Sequence, residues 1–361
     1  MAVGKVFEDR NEAVMMTASG GGARQRDHAG NVMAPCGHRK GPSGAAWSNA
    51  IRVSIVICTL DRPEGLRRAM RSCLEQDTAA DLAYEVVVVD NSATANAQPV
   101  VREFSGTRTG LVRYLNDPRT NIAHARNTGI AAAQGTYVAF IDDDMAAPPG
   151  WLSAAFAAME RTGADVLLGK IVPEFEGGPG WGGTLPDSAR WFGRDFALPD
   201  GAVIPPRRDG HIPHAGTGNC VLRRTTTLES SAPFDPALGR IGGEDTDFLQ
   251  RLGQRGKVTV FSEQAWMIEF VPPDRNAPEY LARRNYRTSQ QFVRIAARNS
   301  ARRRLTACRH MATGLAQLAL AGLRYGTAKA VGADPVRARL ASAAAAGKLC
   351  WTRRDADAPY R

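Results

Sequence analysis

From Val53 onward the chain alternates short, unbroken apolar runs with stretches of helical spacing. Val53-Ser54-Ile55-Val56-Ile57-Cys58 has the length of a strand, and Thr59-Leu60-Asp61-Arg62-Pro63 ends it. Leu66, Met70, Cys73 and Leu74 then recur at helical spacing. Glu85-Val86-Val87-Val88-Val89-Asp90 is too β-branched and too uniformly apolar for a strand with one wet face. Residues 111–115 and 136–141 read as two further strands, with a helix over 121–133 between them. Apolar strands joined by helices predict an α/β domain of the mononucleotide-binding kind, built on a parallel sheet covered on both faces.

The flanking segments read differently. Residues 1–50 mix Gly, Ala, Arg, Asn and Ser, include Gly20-Gly21-Gly22 and lack periodicity, which predicts a disordered leader. Cys36 and His38 within it are two ligands where zinc usually needs four, so no metal is expected there. Residues 173–218 are rich in Gly and Pro and carry Trp181, Trp191, Phe192 and Phe196. These aromatics either stack on sugar faces in a lid or pack as a satellite core. His211 and His214 at the end of this stretch read as structural. The resulting division is a leader to residue 50, a domain over 51–275 with halves at 51–145 and 146–275, and a helical region over 276–361.

Composition adds limits. The 361 residues are 43% hydrophobic and 23% charged, as in globular proteins, and no run approaches the roughly 18 apolar residues of a membrane span. No apolar run follows the N-terminal charges, so a secretory signal is not expected. The six cysteines form no CxxC pair, which points to reduced thiols in the cytoplasm. The net charge of +10 sits in one place. Residues 280–333 hold ten Arg and one Lys with no acid, leaving the rest of the chain at about −1 (10 − 11). Within that segment, 311–323 is apolar apart from Thr313, Gly314, Gln317 and Gly322, and it follows Arg302-Arg303-Arg304. Such a pattern suits a helix lying on an anionic membrane, at the inner face of the plasma membrane, or a helical hairpin packed on the domain. Few aromatics for base stacking and no known module argue against a nucleic-acid partner.

The chemistry gathers at the strand ends, where ligands of open α/β sheets sit. Thr59 and Asp61, then Asp90, then Asp142-Asp143-Asp144 follow three of the predicted strands. Adjacent carboxylates after a buried strand call for a cation or hydroxyls to offset their repulsion, and Mg²⁺ takes one or two carboxylates plus substrate phosphates. A nucleotide's ribose and metal-bound diphosphate supply both.

Thr59-Leu60-Asp61-Arg62, Val89-Asp90-Asn91-Ser92, Ala125-Arg126-Asn127-Thr128-Gly129, Asp142-Asp143-Asp144 and Gly243-Glu244-Asp245-Thr246-Asp247 together resemble the family 2 glycosyltransferases of GT-A fold, over roughly residues 51–290. Glu269-Phe270-Val271-Pro272-Pro273-Asp274-Arg275 with Arg283-Arg284 is similar to the branch acting in bacterial exopolysaccharide assembly. The resemblance implies a nucleotide-sugar donor, Mg²⁺ or Mn²⁺, a glycan or lipid-linked acceptor and inversion at the anomeric carbon. It assigns Thr59, Asp61 and Asp90 to base and ribose, and Arg126 and Asn127 to the nucleotide's surroundings. Asp144 becomes the metal ligand, and Asp142 faces ribose or a metal water. Asp143, a third Asp where the family motif has a variable middle, is a candidate to share the metal. Asp245 becomes the general base, with Glu244 beside it in the catalytic motif. Both acids open a helical pattern through Phe248, Leu249 and Leu252, where the helix N-terminus favours the charged form. Two rivals fit less well. An aspartyl phosphotransferase needs Thr or Val where Ala146 follows Met145, and a nucleotidyltransferase needs a Gly-rich loop after the first strand.

Overall fold

The computed structural model describes residues 51–79, 82–104, 112–177, 189–230 and 232–353; the leader expected over 1–50, and Trp181, lie outside them. The first half follows the predicted alternation: β1 (Val53–Thr59), α1 (Pro63–Leu74), β2 (Tyr84–Asp90), α2 (Gln98–Phe104), β3 (Val112–Asn116), α3 (Ile122–Ala132) and β4 (Tyr137–Asp142). The second half runs β5 (Met145–Ala146), α4 (Trp151–Thr162), β6 (Val166–Phe175), the single turn α5 (Ala189–Phe192), β7 (Cys220–Arg223), α6 (Arg224–Thr227), α7 (Glu244–Gln254) and β8 (Thr259–Val271). Three helices close the chain: α8 (Pro278–Arg298), α9 (Arg303–Ala330) and α10 (Val336–Leu349).

The described strands form one sheet in the order β3-β2-β1-β4-β7-β6-β8-β5. The first four are parallel, as the uniformly apolar runs predict. The sheet as a whole is mixed, because β7 lies antiparallel between β4 and β6, and the tiny β5 lies antiparallel to β8. Successive side chains of a strand point to opposite faces. Val86 and Val88 accordingly join Ile55, Ile57, Met70 and Trp151 on one face, while Val87 and Val89 join Val56, Phe140, Phe234 and Phe248 on the other. At about 1.5–3 kcal/mol per buried Val or Ile, these two faces carry much of the domain's stability. Helix α3 lies so close to β1 that a Cβ at Gly129 would come within 2.4 Å of Val56 Cγ1. Asn121 caps this helix, its Oδ1 accepting from Ala123 N and His124 N.

Register matters most for the site. Thr59 stands opposite Asp90, and Cys58 opposite Asp142, so three strands end level on one sheet edge. The acids that follow them are brought together there.

The C-terminal helices dock against the catalytic half through α8. Arg298 pairs with Asp235, Asn299 Nδ2 donates to Asp247 Oδ1, and Phe292 stacks edge-on between His211 and His310. Helix α9 buries Ala307, Gly314 and Ala321, spaced seven apart, and leaves Leu305, Leu315, Leu320 and Leu323 exposed. The apolar stretch 311–323 is therefore the middle of a 28-residue helix, and no described helix is long and apolar enough to cross a membrane. Among the loop aromatics, Phe192 joins Val271, Leu281, Val336 and Leu340 in a small third cluster, and Phe196 rests edge-on against Phe261. For these two, the satellite-core reading holds.

Candidate active site

Asp143 is the anchored member of the acidic triplet. It is buried, with Oδ2 accepting from Thr59 Oγ1 at 2.8 Å and Oδ1 from Arg62 Nη1 at 2.9 Å. Burial, more than its neighbours, raises its carboxyl above the usual range. Thr59 and Asp143, both expected at the donor or its metal, are thus turned to each other and set the turn's shape. That turn aims the flanking acids.

Asp142 opens onto the cleft. Its side chain is 41% exposed, and its partial burial comes from Arg126 beside Oδ1 and Gly218 beside Oδ2. That burial, with Asp144, Asp143 and Asp245 adding repulsion and Arg126 opposing, raises it to about 6. Asp144 Oδ2 accepts from Arg275 Nη1 at 2.8 Å and Arg62 Nη1 at 3.1 Å, while its backbone oxygen accepts from Phe270 N on β8. Among the described residues nothing hydrogen-bonds its other carboxylate oxygen.

The acceptor side comes from α7. Asp245, half-buried in its first turn, accepts from Thr246 N at 2.6 Å through Oδ1. Its Oδ2 faces the loop before β7, where a Cβ at Gly216 would lie 3.2 Å away. Two residues on, a Cβ at Gly218 would lie 2.7 Å from Asp142 Oδ2. A narrow backbone strip, Gly216-Thr217-Gly218 with Thr217 buried, therefore runs hard against both the strand-end carboxylate and the helix-end carboxylate. Buried Arg194 holds this strip from behind, donating to the carbonyls of Gly169, Gly216, Gly218 and Asn219 at 2.9, 3.1, 2.7 and 2.5 Å. Asn219 is itself locked, accepting from Trp151 Nε1 and donating to the carbonyls of Lys170 and Ala265.

Several expected contacts move one layer back. Asp90 is fully buried, with Oδ1 accepting from Ser92 N and Oδ2 from Ala97 N and Tyr114 OH, so it shapes the loop after β2 and does not line the cleft. Asn127 exchanges two hydrogen bonds with the backbone of Phe234. Arg126, expected near the nucleotide, is 6% exposed. Its guanidinium pairs with Glu244 and reaches Asp142 at 3.7 Å. Glu244, expected beside Asp245 in the catalytic motif, is buried in that pair, which fixes where α7 begins relative to α3. Burial lifts its carboxyl to about 7, with Arg126 opposing. A buried charge is tolerated when it is paired, and these positions supply the pairing. Asp61 stays at the rim, exposed, in a left-handed backbone conformation with φ 55°, its Oδ1 accepting from Asn96.

Arg194 escaped the sequence reading, and Glu269, quoted there only within the motif that opens Glu269-Phe270-Val271, was given no role of its own. Glu269 follows the apolar run Ala265-Trp266-Met267-Ile268 near the end of β8, and Arg194 lies in a loop between aromatics. Burial and then the charges of Asp144 and Asp142 raise Glu269 to about 8, with Arg284 and Arg275 opposing.

A divalent cation was tested against this donor set. Among the described residues, no group of three or more His, Cys, Asp or Glu is arranged to cage one. Asp144 with an unengaged oxygen, and Asp142 beside it, match a cation that shares one or two carboxylates with substrate phosphates and water. The residues fit Mg²⁺ or Mn²⁺ in that shared manner.

The profile described as "Glycosyl transferase family 2" matches residues 54–227. The chain is 31% identical over 251 residues to the succinoglycan biosynthesis protein ExoM of Rhizobium meliloti (strain 1021), covering 69% of this chain and 77% of that protein. It is 27% identical to the validoxylamine A glucosyltransferase of Streptomyces hygroscopicus subsp. limoneus over 67% of this chain and 56% of that one. Among solved structures, S. aureus TarS 1-349 in complex with UDP-GlcNAc aligns at 17% identity with a TM-score of 0.49, covering 71% of this chain and 70% of that one.

Proposed function

Because the chain belongs to glycosyltransferase family 2 and has the GT-A fold, we propose that it transfers a hexosyl residue, with inversion, from a nucleotide-diphosphate donor to a hydroxyl of a lipid-linked glycan. The observation that carries this reading is the Gly216-Thr217-Gly218 strip, against which the carboxylates of Asp142 and Asp245 both close. It sets a strand-end acid on the donor side and a helix-end acid on the acceptor side of one short backbone segment.

Asp245 accepts the proton of the acceptor hydroxyl as that oxygen bonds to the anomeric carbon and the bond to the diphosphate breaks. General-base assistance of this kind is worth about 10²–10⁴-fold. Asp142 and Asp144 are the residues to hold a divalent cation, whose contribution when bound is Lewis-acid stabilisation of the departing diphosphate. Asp143, Thr59 and Arg62 keep the triplet's turn in shape.

The outer face of α9 supports attachment to the inner membrane surface. Leu315 and Leu323 are 60% and 66% exposed, with Arg302, Arg303, Arg304, Arg309 and Arg324 around them. Apolar side chains enter the headgroup boundary, and each nearby Arg adds about 1 kcal/mol on an anionic surface. Flotation with phosphatidylserine vesicles is expected to weaken with salt and to be lost in the Leu315→Asp/Leu323→Asp variant. Equal flotation of variant and wild type overturns the membrane assignment.

The central test is nucleoside-diphosphate release from a panel of nucleotide sugars. EDTA is expected to stop it and Mn²⁺ to restore it. Asp245→Asn lowers kcat by at least about 10²-fold with nucleoside-diphosphate affinity retained. Full turnover in EDTA refutes the metal; loss of nucleotide binding in Asp245→Asn refutes the base.

A further inference from the structure

Arg275 stands out because its guanidinium sits on one oxygen of the carboxylate whose other oxygen is the candidate for the metal. It lies in the 3-10 turn Pro273–Asn276 between β8 and α8, with its side chain 20% exposed. Nη1 donates to Asp144 Oδ2 at 2.8 Å, and Asp144 is its one side-chain partner among the described residues. Arg62 donates to the same oxygen at 3.1 Å but is also bound to Asp143. One carboxylate oxygen therefore receives two guanidiniums, and only one of them has a second acid to fall back on.

We propose that Arg275 is an exchange residue: it neutralises Asp144 in the empty site, yields that carboxylate to the divalent cation, and then takes an oxygen of the donor's diphosphate. This rests on the transferase reading above and names the residue that grips the leaving group. The charges support it. Asp142, Asp143, Asp144 and Glu269 gather at the turn, and Arg62, Arg126, Arg275 and Arg284 face them. A divalent cation on the other oxygen of Asp144 draws off that carboxylate's charge and loosens its hold on Arg275, and a half-enclosed guanidinium with a weakened partner is costly. The diphosphate that shares the cation brings acceptor oxygens beside Asp144, and guanidinium is well suited to phosphate. Arg275 thus competes with the metal alone but cooperates with metal and diphosphate together. It also couples the two, since the arginine is released only when the carboxylate is taken.

Opposite responses to two ligands test the exchange. Titrating the full chain and Arg275→Gln with Mn²⁺ alone, read by the electron-spin signal of free Mn²⁺, is expected to show tighter binding in the variant by roughly 5- to 10-fold. Titrating both with UDP, GDP and dTDP at saturating Mn²⁺ in a calorimeter is expected to show the preferred nucleotide bound roughly 10-fold or more weakly by the variant. Arg275→Lys, which keeps the charge without the fork, falls between. An unchanged melting temperature accompanies these shifts. A merely structural Arg275 moves both affinities down together, and that result overturns the proposal, as does no change in either. A rise in both shows a simple competitor and also overturns it. In the wild type, Mn²⁺-dependent nucleotide binding without the crossed response in Arg275→Gln refutes the exchange alone. Mn²⁺-independent nucleotide binding refutes the metal assignment beneath it.

Discussion

Arg194→Met removes a buried cation that pairs with no carboxylate, and the structure fixes what is lost. The side chain is fully enclosed, and burial lowers its ionisation to about 10, so it remains charged at neutral pH. Its four acceptors are backbone carbonyls. Asn219 O keeps a second donor, Gly169 N at 3.0 Å. The carbonyls of Gly216 and Gly218 have no other donor among the described residues. Two orphaned carbonyls at roughly 1–3 kcal/mol each give a loss of about 3–4 kcal/mol, since methionine refills most of the volume. At roughly 2–4 °C per kcal/mol for a chain of this size class, the melting temperature falls by roughly 6–16 °C. Differential scanning fluorimetry measures this directly. Turnover, measured well below the new melting point, is expected to fall by at least about 10²-fold, because a misplacement near 1 Å at the strip shifts Asp142 relative to Asp245. A shift under about 3 °C, or wild-type kcat in the folded variant, refutes the claim that Arg194 holds the strip.

Two further outcomes follow from the same geometry. Gly218→Ala places a methyl 2.7 Å from Asp142 Oδ2 and from Met145 Cε. Both are movable tips, so stability falls by only about 1 kcal/mol while turnover falls far more; equal losses in melting temperature and rate-matched stability refute that reading. Glu269→Gln tests the raised carboxyl. With its ionisation moved from 4.5 up to about 8, folding takes up a proton, so its contribution is complete below 4.5 and is lost as pH rises through about 8. The metal-free wild type should therefore lose stability across that window with a slope of at most about 1.4 kcal/mol per pH unit, and the variant should be flatter; parallel melting curves from pH 5 to 9 refute it.

The strands and the strand-end acids were legible because both are local signals. Val86-Val87-Val88-Val89 needs two covered faces wherever it goes, and Asp142-Asp143-Asp144 ends a buried run. The identity of the carboxylate that faces the cleft was not local. It depends on Thr59 standing level with the triplet through the β1–β4 register, which gives Asp143 to Thr59 and leaves Asp142 free. Asp90 looked like a ribose contact because it follows a strand, but Ser92, Ala97 and Tyr114 claim both its oxygens. Arg126 and Glu244 are 118 positions apart, and no spacing rule links them. Arg194 had no signal at all: an arginine in a Gly- and Pro-rich stretch is ordinarily a solvated one.

The Arg126–Glu244 pair has a consequence for anyone recombining this enzyme with its relatives. A natural place to cut a chimera is between the halves proposed for donor and acceptor, near residue 145, in the hope of exchanging acceptor specificity alone. That cut separates Arg126 on α3 from Glu244 on α7. A grafted half with an uncharged residue at the position of Glu244 would take from a 6%-exposed guanidinium its nearest carboxylate, leaving Asp142 at 3.7 Å, a loss of at most about 3–5 kcal/mol. The exchangeable module is therefore not a contiguous half. It is the acceptor half plus residue 126, and shuffled libraries that keep the two positions together should yield folded transferases far more often than libraries that let them segregate.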